Sequence, residues 1–124
     1  MRDPEVLAEA ARLFNDKFYF EAHDYLEDSW QDARGDERAF LQALIHVSVG
    51  MVHVAAANHQ GAVNLLSRAL EALARFAPSR DGLDVVALGD KASICLEKSK
   101  PLLAGESVEW ASEDVSRMEF VAAE

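Results

Sequence analysis

From Ala43 to Ala57 the chain reads ALIHVSVGMVHVAAA, and Leu44, Ile45, Val47, Val49, Met51, Val52 and Val54 leave no broad polar face on a helix wheel. A helix that is apolar almost all round has to be buried on most of its sides. The stretch is shorter than the ~20 residues a bilayer span requires, and His46 and His53 interrupt it. It predicts a buried central helix over Glu37–Ala57, which only an arrangement with neighbours on several sides can accommodate.

The remaining periodicity supplies those neighbours. Val6, Leu7, Ala10, Leu13 and Phe14 fall at helical spacing and predict a first helix over Pro4–Asn15, with Asp3 as cap and Pro4 opening it. A second helix is expected over Phe18–Ala33, ended by Gly35, with Asp36 capping the third. Asn58 is expected to cap a fourth helix over His59–Phe76, buried along Leu65, Leu66, Ala69, Leu70 and Leu73. Pro78–Gly82 reads as a loop, and a fifth helix over Leu83–Ser99 should stop before Pro101. No run alternates with period two, so neither strand nor hairpin is expected. The expected fold is an all-α, single-domain bundle of five or six helices: a bundle domain over 1–104, then an acidic segment over 105–124. Trp110, Val115, Met118 and Phe120 could dock that segment as a short helix.

Charge narrows the partners. Twelve Lys and Arg face 22 Asp and Glu, a formal net charge of −10. Neither a nucleic-acid backbone nor an anionic membrane is the expected partner of such a surface. One cysteine, Cys95, excludes an intrachain disulfide framework and fits a reducing compartment. No targeting segment is visible, so a cytoplasmic location is expected. Cys95 reads as a small core residue, Gly50 as a close contact between helices, and Lys91, Lys98 and Lys100 as a solvated face. A homodimer would give so apolar a central helix further surface to bury.

The polar groups on the second and third helices carry the chemistry. Gln42, His46 and His53 fall within about 40° on the wheel of the buried helix. Polar groups placed there cost roughly 1–3 kcal/mol each unless they find hydrogen-bond partners. The second helix offers Glu21, His23, Asp24, Glu27 and Asp28, with His23 and Glu27 four residues apart on one face, and Trp30 at its apolar edge. If the two helices pack antiparallel, these groups would meet in a semi-buried cleft. Imidazole and carboxylate together suit a divalent metal, with His23, Glu27 and His53 as ligands. The plainer reading of the same residues is a closed hydrogen-bond network that fixes helix register. Neither H-E-x-x-H nor paired E-x-x-H motifs occur.

The run Phe18-Tyr19-Phe20-Glu21-Ala22-His23-Asp24-Tyr25-Leu26-Glu27-Asp28-Ser29-Trp30 resembles the F-x-E-A-H-E-x-L-E-x-x-W signature of the domain-of-unknown-function 309 family. Phe40-Leu41-Gln42-Ala43-Leu44-Ile45-His46, then His53, then Asn58-His59-Gln60-Gly61-Ala62, is similar to that family's F-L-Q-G-L-I-Q … H … N-x-x-G-A block. The resemblance spans Asn15 to Leu73. It implies a small all-α bundle and a shared site at Glu21, His23, Asp24, Glu27, Trp30, Gln42, His53 and Asn58. It implies no reaction. The family usually has Glu at Asp24 and Gln at His46. Three functional readings stay open: a binding module with a polar cleft between the second and third helices, a metal-dependent hydrolase using His23, Glu27 and His53, and a helical scaffold for a protein partner.

Overall fold

A computed structural model describes residues 4–121. The apolar run lies in α3 (Gly35–Ala55), which packs against α2 (Tyr19–Asp32) and α4 (His59–Leu73) and at a few points against α5 (Val85–Leu103). The first helix, α1 (Pro4–Asn15), lies on α2. Phe40, Leu41, Leu44, Val47 and Met51 are buried along α3. The helix is longer than its apolar run and by length and composition is sufficient to cross a bilayer; half of its apolar window is buried against its neighbours in this fold. The chain is therefore an all-α helical bundle with the third helix at its centre. Asp3, the expected cap of α1, lies outside the described residues.

Gly50 is the close contact that its place in α3 suggested. A Cβ built there would come within 2.7 Å of Leu66 Cδ2 on α4. Only hydrogen fits between the two helices at that point.

Two- and three-residue connections join α1 to α2, α2 to α3 and α3 to α4, so successive helices run antiparallel. One end of the bundle therefore gathers the C-termini of α1, α3 and α5 with the N-termini of α2 and α4. Those three C-termini close alike. Phe18 N–H donates to the Leu13 carbonyl (2.9 Å) and Lys17 N–H to that of Phe14 (3.0 Å). Asn58 N–H donates to His53 (2.9 Å) and Ala57 N–H to Val54 (3.2 Å); Glu106 N–H donates to Pro101 and Gly105 N–H to Leu102, both at 3.1 Å. Each is a Schellman turn with its pivot in the left-handed region: Lys17 at φ 69°, Ala57 at φ 58° and Gly105 at φ 82°.

Several expectations need correction. The loop at Pro78–Gly82 contains a hairpin, with Ser79 opposite Asp84 and Arg80 opposite Leu83. Asp81 and Gly82 both have positive φ, 52° and 84°, the requirement of the two-residue turn that Asp-Gly favours. The last residues of the expected fourth helix, Ala74–Phe76, tighten into a 3₁₀ turn. The fifth helix starts at Val85, where the Asp84 carboxylate accepts from Ala87 N–H (2.9 Å), and it runs through Pro101 to Leu103. Proline there forfeits one amide bond, to the carbonyl of exposed Glu97. Leu102 is thereby kept in the last turn, where it lines the cavity described below. At the start of α3, Arg34 rather than Asp36 is the capping residue, and Asp36 sits in the first turn, where its carboxylate bonds Arg75.

Among its described residues the acidic segment forms no α-helix. Its described part, to Val121, crosses the bundle as an extended strap with a single 3₁₀ turn at Ser112–Asp114. Lys98 holds it through the Asp114 carboxylate and the Glu109 carbonyl (2.8 Å), and Lys91 through the Glu113 carbonyl. Two of the three lysines expected to be a solvated face, Lys91 and Lys98, are thus the grips of the strap, whereas Lys100 stays exposed and pairs with Glu97. Asn15 makes two bonds to Met118: Nδ2 donates to its carbonyl, and its N–H donates to Oδ1, both at 2.8 Å. The strap ends beside the hairpin, where Asp84 N–H donates to Glu119 and Val121 N–H to Gly82, both at 2.8 Å.

Candidate functional site

The polar groups singled out in the sequence resolve into short-range pairs. On α2, His23 Nε2 faces Glu27 Oε2 at 3.0 Å and Nδ1 faces the Phe20 carbonyl at 3.3 Å. Both ring nitrogens therefore meet acceptors on their own helix. Glu21 and Asp24 are exposed. Trp30 is covered by the Arg38 guanidinium, 3.9 Å above its ring, which fastens the α2–α3 corner.

On α3, Gln42 Nε2 lies 2.9 Å from His46 Nε2. His46 Nδ1 is buried and has no hydrogen-bond partner among the described residues. Burial, with Arg68 adding to it, lowers the pKa of His46 and keeps the ring neutral. At the end of α3, Asn58 does two jobs. Its Oδ1 accepts from Gly61 N–H (3.1 Å), capping α4 as expected, and its Nδ2 donates to His53 Nδ1 (3.1 Å). A Cβ at Gly61 would come within 2.7–2.8 Å of the His53 ring and Asn58 Nδ2. The His … Asn-x-x-Gly pattern is thus a packed corner between two helices.

No hydrogen bond or ion pair joins the α2 group to the α3 group among the described residues. The metal set His23, Glu27 and His53 is not brought together, and among the described residues no three His, Cys, Asp or Glu converge to hold an ion. Antiparallel packing across a two-residue connection sets His23 level with about residue 44. His53 then lies roughly 13 Å further along the axis at 1.5 Å per residue. The wheel angle that aligned His46 with His53 carried no information about that axial distance.

A cavity of about 430 Å³ opens at the bundle end where the three Schellman turns meet. Its walls are Tyr19, Met51, Val54, Ala55, Leu102, Trp110 and Val115. Lys17, Ala57, His59 and Ser99 complete the lining. Two of the three non-glycine residues with positive φ, Lys17 and Ala57, therefore border it. The Tyr19 ring packs edge-on against Phe14 (5.1 Å between centroids). Burial above all, with Cys95 adding to it, pushes the Tyr19 pKa up to about 12, so the phenol stays a neutral donor. Its hydroxyl has no hydrogen-bond partner among the described residues. The same holds for the side chains of Lys17 and His59. Ser99 donates to the Cys95 carbonyl (2.8 Å). Trp110 and Val115 belong to the strap, so the C-terminal segment builds one wall.

Sequence reasoning missed this cavity, because its residues lie scattered between positions 17 and 115 and only the up-and-down topology collects them. The one local hint was aromatic: Phe18, Tyr19 and Phe20 in a row, of which Phe18 and Phe20 remain 50% and 60% exposed.

Fold and site together define a small all-α bundle with paired polar side chains along its first three helices and an apolar cavity at one end. The family model of a domain of unknown function (DUF309) matches residues 7–65 of the chain. The match takes in the His23–Glu27 pair, the His53–Asn58–Gly61 corner and the cavity wall up to His59. Ser99, Leu102, Trp110 and Val115 lie beyond it. No curated protein matches the chain in sequence.

Proposed function

We propose that this protein is a small ligand-binding module whose seat is the cavity at the end of the bundle rather than a cleft between α2 and α3. The observation that carries the reading is a concave, mostly apolar space of about 430 Å³ with unpartnered polar groups at Lys17, Tyr19 and His59. Small-molecule sites commonly take this form, apolar walls with a few polar groups to fix orientation. The histidines and carboxylates of α2 and α3 then serve the frame, holding helix register and the α3–α4 corner. A cytoplasmic location belongs to the same proposal; the single cysteine, which fits a reducing compartment, supports it.

The test is amide NMR of the full chain titrated with 1-decanol. Shifts concentrated at residues 17–19, 51–59 and 99–115, and abolished when Ala55→Phe fills the cavity, are the expected result. Shifts confined to Phe18 and Phe20, unaffected by that substitution, would instead favour the protein-scaffold reading, which those two exposed rings support.

A further inference from the structure

The polar lining of the cavity has one sign. In a chain with 22 acidic residues against 12 basic ones, no aspartate or glutamate among the described residues borders it. Its ionisable lining residues are Lys17, His59 and the neutral phenol of Tyr19. Glu21 borders an adjoining open depression that shares Lys17, Tyr19 and Ala55 with the cavity. The helix ends point the same way. Schellman bonds occupy carbonyls of the last turns of α1, α3 and α5, whereas α2 begins at Tyr19 with no side-chain cap on its first amides. Polar groups offered to an occupant are therefore predominantly donors, and one is a fixed cation.

From this we infer that the cavity takes an amphipathic monoanion, an alkyl carboxylate whose chain lies against Met51, Val54, Leu102 and Trp110 while its head group meets Lys17 and Tyr19. The inference rests on the cavity being a ligand seat. A carboxylate accepts from both the ammonium and the phenol, and such charge-assisted bonds are stronger than neutral ones. An alcohol of equal length would keep the wall contacts and lose the ion pair. An alkylammonium would keep the walls and meet a like charge. Lys17 is held at φ 69°, a conformation that glycine adopts far more readily. A lysine at that pivot sacrifices some stability for a cation at the rim.

The experiment compares decanoate, 1-decanol and decyltrimethylammonium by titration calorimetry on the full chain, with Lys17→Met and Lys17→Arg beside the wild type. Both substitutions keep a long side chain at the pivot, and melting curves check that each variant is folded. Decanoate should bind about tenfold more tightly than decanol, equivalent to ~1.4 kcal/mol. Lys17→Met should remove that preference by weakening decanoate binding far more than decanol binding, and Lys17→Arg should retain it. Decanol binding as tightly as decanoate, a preference for the ammonium, or a Lys17→Met variant that still prefers decanoate would overturn the anion assignment and leave the seat intact. Failure of all three probes to bind would overturn the assignment together with the seat.

Discussion

Two histidines show how a polar residue is kept in an apolar helix, and each makes a prediction. His53 is held by packing. Its ring lies where a Cβ at Gly61 would stand, and Asn58 bonds it while capping α4. Gly61→Ala should therefore destabilise by about 1–3 kcal/mol, the usual range for overpacking. Adding His53→Ala should recover part of the loss, a favourable coupling in a double-mutant cycle of urea denaturation. Strict additivity of the two changes would refute the corner. His46 is held by neutrality. Its folded pKa is lowered by burial and by Arg68, below the ~6.5 of an unfolded chain. Above that pH neither state carries the proton and the full stability is present. As pH falls below ~6.5 the unfolded chain takes up the proton first, so stability declines until the lowered folded pKa is reached. His46→Gln removes the titrating group, so its stability should drop less than that of the wild type between about pH 7.5 and about pH 5.5. An equal drop in both proteins would show that His46 is not the group responsible.

At the scale of the elements, the order of helices and the central place of α3 were legible because the code for them is local. Apolar spacing, Asn58 as a cap and Gly50 as a contact each report on a few neighbouring residues. The misjudged features involve longer-range terms or an overlooked local signal. Asp81-Gly82 carried the hairpin signal in plain sight, but strands of two residues are too short for period-two alternation to register. Pro101 lies inside α5, and the next residue, Leu102, lines the cavity wall, a contact no local rule contains. Lys91 and Lys98 of α5 read as solvated because their acceptors lie 11 to 22 residues further along. The helix ends also yield a prediction. The left-handed pivot of α3 is Ala57, at φ 58°, where a Cβ costs about 1–2 kcal/mol. After allowing for the greater freedom of glycine in the unfolded chain, Ala57→Gly should raise stability by roughly 0.5–1 kcal/mol. A higher urea midpoint with unchanged slope is the expected readout; a lower midpoint would mean that the Ala57 methyl contributes more to the cavity wall than its backbone strain removes.

For the molecule as a whole, the binding proposal depends on a segment that the helical pattern did not describe. The candidate site read from the sequence was a cleft on α2 and α3, because composition marks where ionisable residues are dense. The cavity is marked instead by topology, and one of its walls arrives with the strap. That strap has little apolar area to bury: Met118 is buried, but Trp110 and Phe120 remain 38% and 46% exposed. Its position therefore leans on discrete polar anchors, and Asn15 is the one that ties it to α1, through paired bonds to Met118. Asn15→Ala leaves both backbone groups of Met118 without these partners, at a net cost of about 1–3 kcal/mol. If strap and bundle unfold as one unit, that loss should spread over every slowly exchanging amide. If the strap opens by itself, hydrogen exchange should accelerate over 112–121 while the amides of α3 and α4 keep their protection. The second outcome is expected, since the strap rests mainly on α5, the hairpin and the end of α1, whereas α3 is enclosed by other helices. It carries a functional consequence, because Trp110 and Val115 would leave the cavity with the strap. Decanol affinity should then fall in Asn15→Ala although Asn15 does not line the cavity, and unchanged affinity alongside fast strap exchange would show that the remaining walls suffice to hold the ligand.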